Sequence, residues 1–149
     1  MRRSATAPVF VDANVLINAV DLADYKKQQA AQSWLENLWE GHNDRISFQV
    51  LQEIYSKVCQ KGSADCEEAP AEVCDLLVRN PMPVNAEVLD RSWKIQDRYQ
   101  LSFWDFLIVA AAKSASCRFL LTEDLQSGQN FDGLLVINRF LRDPASVTT

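Results

Sequence analysis

Histidine is nearly absent from this chain: His42 is the single one in 149 residues. A ribonuclease that uses two histidines as acid and base is thereby excluded. Any Ser-His-Asp or Cys-His hydrolase would have to be built on His42. That residue stands in Glu40-Gly41-His42-Asn43-Asp44, a polar stretch read as a helix end and turn, and no Gly-x-Ser-x-Gly elbow occurs. Cys59, Cys66, Cys74 and Cys117 form no C-x-x-C pair, so a zinc site of the usual Cys/His type lacks ligands. Four free thiols in a reducing compartment are expected. With Gly 4 and Pro 5, the chain is neither low-complexity nor collagen-like. Long apolar runs are missing too. The longest, 106–112, ends at Lys113, far short of the roughly 18 residues of a spanning helix. The apolar stretch after Pro8 is broken by Asp12, so no signal-peptide core exists. A cytoplasmic protein without a membrane segment is expected. Positive charge is also short: 15 basic against 20 acidic residues give a net of −5, the opposite of the usual nucleic-acid binder.

What is present is a core. Hydrophobic residues make up 48% of the chain, enough for one folded domain. The apolar run 8–11 reads as a buried strand ending at Asp12, followed by a short helix over 14–20. Helical spacing of Ala30, Ala31, Trp34, Leu35, Leu38 and Trp39 predicts a helix over 26–40, closed by Gly41. A strand over 45–48 and helices over 49–60 and 67–79 follow, the last stopped by Asn80-Pro81. Then come a short strand over 82–84, helices over 86–99 and 102–114, and strands over 118–122 and 133–137. Strands alternating with helices argue an α/β fold with a mostly parallel sheet. The domain is expected over 8–142, with polar tails at 1–7 and 143–149.

Parallel α/β sheets place ligand sites beyond the carboxyl ends of their strands. Asp12 ends the first strand, and Glu123-Asp124 follow the strand that closes on Thr122. Glu53 sits on the helix after the 45–48 strand, and Asp105 opens the most apolar helix. Each has a structural explanation of its own. Asp12 could cap the next helix or form an Asp turn, and Asp124 could do the same after Thr122. Asp105 completes the capping pattern Ser102-x-x-Asp105. Glu53, Lys57 and Lys61, spaced four apart, could simply pair along one helix face.

Together, however, four carboxylates from distant segments suit a hard divalent cation such as Mg2+ or Mn2+. Such clusters support phosphodiester cleavage without a histidine, and without metal they would repel and take up protons. Setting the four aside leaves 16 acidic against 15 basic residues, so an acidic total is no bar to binding RNA. Candidate phosphate contacts are Lys57 and Lys61, and Arg91, Lys94 and Arg98, which share a helix face at i, i+3 and i+7. A solvated surface is the plainer reading of any one of them.

The segments Val9-Phe-Val-Asp-Ala-Asn-Val-Leu-Ile17, the Glu53 helix, Leu101-Ser-Phe-Trp-Asp-Phe-Leu-Ile-Val-Ala-Ala-Ala112 and Leu120-Leu-Thr-Glu-Asp-Leu-Gln-Ser-Gly-Gln129 resemble the PIN-domain ribonucleases. Among these, the chain is most similar to the VapC-type toxins of bacterial type II toxin–antitoxin modules. The resemblance covers about 8–140. It implies a PIN-like (Rossmann-like) three-layer α/β/α fold and a Mg2+- or Mn2+-dependent endoribonuclease. The implied acidic quartet, catalytic and metal-binding, is Asp12, Glu53, Asp105 and Asp124, supported by Asn14 and Thr122. It further implies a homodimer, an RNA substrate, a cognate antitoxin that blocks the site, and operator DNA bound only through that antitoxin. Trp34 and Trp39 are read as core, with a dimer contact as the alternative. One departure is Ala13, where many relatives carry Ser or Thr.

Other readings compete. A phosphoaspartyl phosphatase would need a second Asp at position 14, which is Asn, and Lys113 is poorly placed for its lysine. A PIN-like RNA-processing nuclease, or a silent RNA-binding or scaffold module, shares the fold without the toxin role.

Overall fold

The computed structural model describes residues 8–21, 23–61, 63–138, 140 and 144, with the backbone alone at 60, 61 and 63–69. The expected tails at 1–7 and 143–149 lie outside these residues, apart from 144. In chain order the elements are β1 (Val9–Val11), α1 (Ala13–Val20), α2 (Tyr25–Glu40), β2 (Asp44–Arg45), α3 (Phe48–Lys61) and α4 (Ser63–Leu76). A 3-10 turn at Leu77–Arg79 follows, then α5 (Ala86–Arg98), α6 (Phe103–Ser114), β3 (Phe119–Leu121), β4 (Asn130–Phe131) and β5 (Leu134–Ile137). The sheet runs β2-β1-β3-β5-β4. All its pairings are parallel except β4 on β5. The architecture is a three-layer α/β/α around a mostly parallel five-stranded sheet.

The parallel strands are buried on both faces, so they read as apolar runs rather than as alternations. Val9, Phe10 and Val11 are wholly inaccessible, as are Leu120 and Leu121. α6 is apolar almost all round, and Phe106 through Ala112 are all buried. Trp34 is in the core and Trp39 packs against it partly buried, as their helical spacing indicates.

Register decides what the sheet presents at its edge. Val9 pairs with Phe119 and Val11 with Leu121, so Asp12 and Thr122 emerge level with each other. The Asp12 N–H donates to the Leu121 carbonyl at 3.1 Å, extending the ladder by one step.

Several expectations are corrected. The 45–48 strand shrinks to Asp44–Arg45, and the 82–84 strand to a single parallel bridge between Ser47 and Met82. Both are short because α3 already starts at Phe48, which ends the ladder. The helix expected over 67–79 starts at Ser63 and tightens to 3-10 geometry at Leu77. β4 was not anticipated. Its turn is Asp132-Gly133, both with positive φ, 51° and 104°, the backbone a two-residue hairpin turn demands. The four thiols are not all free: Cys59 is disulfide-bonded, while Cys74 and Cys117 are free. Cys59 lies near the end of α3, which packs against the α4 that follows it directly. That proximity is invisible in the spacing of the cysteines.

Candidate active site

Four separate segments deliver carboxylates to one cleft of about 480 Å³, lined by Asp12, Glu53, Asp105 and Asp124. The sequence argument named these four, and the structure brings them together. Asp12 is the deepest, 5% exposed. It caps α1, its Oδ1 accepting from the Ala13 N–H at 2.7 Å, so the capping reading and the cleft reading both hold. Its Oδ2 accepts from the Thr122 hydroxyl at 2.8 Å. Burial nevertheless pushes the Asp12 carboxyl up to about 6, against the lowering effect of those two hydrogen bonds, and the charges of Glu53 and Asp124 add to the rise.

Asp105 opens α6. Its N–H donates to the Ser102 hydroxyl at 3.2 Å, which is the cap expected from the sequence. Burial raises its carboxyl above the ordinary range, Ser102 opposes this, and Asp124 adds to it. Glu53 is half-buried on α3 and accepts from Gln49 Nε2 at 3.1 Å. Asp124 is exposed at the rim.

Asn14 and Thr122 knit two walls together. Asn14 Nδ2 reaches Thr122 Oγ1 at 3.1 Å, Asp124 Oδ2 at 3.1 Å and, more weakly, Asp12 Oδ2 at 3.4 Å. Thr122, fully buried, also accepts from the Asp124 N–H at 3.1 Å. Ala13 is buried and offers only its backbone here.

The basic candidates divide. Lys57 lines the cleft. Lys61 lies outside the residues whose side chains are described. Arg91, Lys94 and Arg98 do not line it. They flank a different depression on α5 with Glu87, Asp90 and Asp132, and each pairs with one of those acids. Their spacing on one face is real, but acids one turn away and the β4–β5 turn occupy them. Lys113 donates to the Phe131 and Asp132 carbonyls at 2.8 and 3.1 Å, away from the carboxylates, against the phosphatase reading. His42 is exposed with φ of 54° in the turn after α2.

Sequence reasoning missed Gln49, Gln52, Ser56 and Trp104, which also line the cleft. The first three share the helical stripe of Glu53 and Lys57, at i, i+3 and i+7 from Gln49, so the signal was there. Gln49 is 2% exposed and its Oε1 has no hydrogen-bond partner. Asn14 Oδ1 is likewise buried without one.

The donor set is all oxygen: four carboxylates with two unpartnered amide oxygens beside them. That suits a hard divalent cation. Among the described residues no three acidic, His or Cys side chains are already drawn into an ion cage, as expected of like charges with nothing between them.

The chain was compared with known proteins. The PIN-domain family model matches residues 9–128. No curated protein matches by sequence. Among solved structures, FitAcB from Neisseria gonorrhoeae superposes with a TM-score of 0.69 at 17% identity, over 89% of this chain and 98% of that one. VapBC2 from Rickettsia felis, bound to a DNA fragment from its promoter, gives 0.62 at 18%, over 87% and 97%. Mycobacterium tuberculosis VapC20, described as a Sarcin-Ricin loop cleaving toxin, gives 0.57 at 16%, over 75% and 86%. With the family model spanning most of the chain and the acidic cleft at the sheet edge, the protein belongs to the PIN-domain family.

Proposed function

We propose that the protein is a Mg2+- or Mn2+-dependent endoribonuclease of the VapC toxin type, acting in the cytoplasm and held in check by a cognate antitoxin. The observation that carries the reading is the convergence of Asp12, Glu53, Asp105 and Asp124 on one cleft at the carboxyl edge of a parallel sheet. The toxin role leans on the structural neighbours, which are largely toxins with their antitoxins. From those neighbours and the resemblance come also a homodimer and operator DNA reached through the antitoxin.

Asp12, Glu53, Asp105 and Asp124 would hold the metal, which supplies charge neutralisation at the phosphate and an activated water. The chain's own residues prepare that chemistry. Thr122 and Asn14 fix Asp12 and Asp124 in register across the sheet edge. Gln49 orients Glu53 through its amide. Lys57, exposed at the cleft, meets a phosphate oxygen of the RNA. Burial raises the carboxyls of Asp12 and Asp105, and neighbouring carboxylates add to it, a cost that a divalent cation would relieve.

The test is cleavage of a total RNA pool by purified protein with Mg2+, Mn2+ or EDTA, beside Asp105→Asn. Discrete cuts that vanish with EDTA and with the substitution are expected. Cuts that persist in EDTA overturn the metal-dependent reading. No cutting by folded protein freed of any antitoxin would favour a binding or scaffold module.

A further inference from the structure

Trp104 is exposed at the start of a helix whose middle is buried. Its side chain is 59% exposed and that of Phe103 is 48%, although every residue from Phe106 to Ala112 is buried. Two large aromatics left in water forgo stabilisation the fold takes elsewhere in α6. Phe103 meets Trp104 edge-on, with ring centroids 5.4 Å apart and planes at 70°. That contact braces the indole, which stays more than half exposed. The indole lines the same cleft as the four carboxylates.

Gln49 ties this aromatic to the carboxylates. Its Nε2 donates both to Glu53 Oε1 at 3.1 Å and to the Trp104 carbonyl at 3.3 Å. The amide spans the cleft from α3 to α6. Its Oε1 is buried and unpartnered. The same side chain that orients Glu53 therefore holds the backbone at Trp104.

The charges ask for such a contact. Among the described residues lining the cleft, Lys57 is the one cation, set against four carboxylates. Arg91, Lys94 and Arg98 are engaged with acids at a different depression. With one lysine in the cleft, phosphate contacts are few, and uncharged surface adds affinity that they do not supply. Base–aromatic stacking is the strongest such contact and tolerates any base, since each has a π-face.

Resting on the nuclease reading, we propose that Trp104 is the base-stacking platform of the cleft, taking an unpaired nucleobase beside the scissile phosphate of a single-stranded RNA segment. A base within a duplex is covered on both faces by its neighbours and cannot use it. Gln49 is its positioning residue.

The experiment measures Kd by fluorescence anisotropy for labelled oligouridine, oligoadenine and a ribose-phosphate chain of the same length without bases. Ca2+ replaces Mg2+ to hold off cleavage. Wild type should bind the two base-bearing chains about tenfold or more tighter than the abasic one. Trp104→Leu should lose that advantage and leave abasic binding unchanged, and Trp104→Phe should keep most of it. Circular dichroism checks that the variants fold. Equal weakening of all three chains by Trp104→Leu, or no weakening, overturns the platform while the nuclease reading stands on wild-type binding and cleavage. If wild type binds none of the chains and cuts no RNA in Mg2+ or Mn2+, the nuclease reading falls and the platform with it.

Discussion

The sheet-edge cleft and the depression on α5 are both charged, and they are built on opposite rules. The α5 depression mixes signs: Arg91 faces Glu87, Lys94 faces Asp90, and Arg98 faces Asp132. The sheet-edge cleft gathers four carboxylates with Lys57 alone against them. Exposed pairs of the first kind contribute little to stability, about 0–1 kcal/mol each, and leave no charge wanting a partner. In the second kind, burial raises the carboxyls of Asp12 and Asp105 and neighbouring carboxylates add to it, a cost that lasts until something positive arrives. An unmatched cluster marks chemistry better than a count of charges does.

The comparison can be broken first at the carboxylates. Asp105→Asn and Glu53→Gln should each lower RNA cleavage by about 10²-fold or more, the scale of losing one preorganised electrostatic contact. Single-turnover rates on a cut RNA would show it, and near-wild-type rates would mean the quartet is structural. The next effect is on stability. Asp12 has a folded pKa raised to about 6 from 3.8, so the folded state holds its proton longer than the unfolded chain. Its contribution is fully present below about pH 4 and is lost as pH rises through about 6. On the order of 3 kcal/mol is at stake. Urea unfolding of metal-free protein from pH 4 to pH 7.5 should show the decline, Asp12→Asn should flatten it, and Mg2+ should restore stability at the upper end.

Smaller effects sharpen the contrast. Lys57→Ala should raise KM about tenfold with kcat little changed, because a contact to a phosphate oxygen that keeps its charge throughout binds ground and transition states alike. Full kinetics would separate the two parameters. The triple change Arg91→Ala, Lys94→Ala and Arg98→Ala should alter kcat/KM by less than about twofold, since these side chains already have partners. A tenfold loss would place RNA on the α5 face and undo the contrast.

How much of this could be read in advance varies by element. The helices at 13–20, 25–40, 86–98 and 103–114 differ from expectation by a residue at either end, because their apolar period and their caps agree. The caps at Asp12, Asn85 and Ser102 are local, and local rules suffice for them. β4 was legible in Asp132-Gly133 but lies in two residues too short to show alternation. The bridge at Met82 could not be read, because an isolated pairing depends wholly on where Ser47 happens to lie. The four carboxylates were legible as residues following strands or opening helices. Gln49 was legible only in the stripe it shares with Glu53 and Lys57, and Trp104 was not, because it reads singly as an ordinary helix residue.

The sequence by itself determined the α/β alternation, the buried strands β1, β3 and β5, the capped helix starts at Asp12, Asn85 and Ser102 and the identity of the acids. These follow from periodicity and capping within a dozen residues. Only the tertiary structure decided that residues 12, 53, 105 and 124 share one cleft, that the basic side chains of α5 pair with acids of α5 and of the β4–β5 turn, and that Gln49 joins α3 to α6. Those are matters of strand order and register, and parallel pairing brings together segments that no local pattern connects.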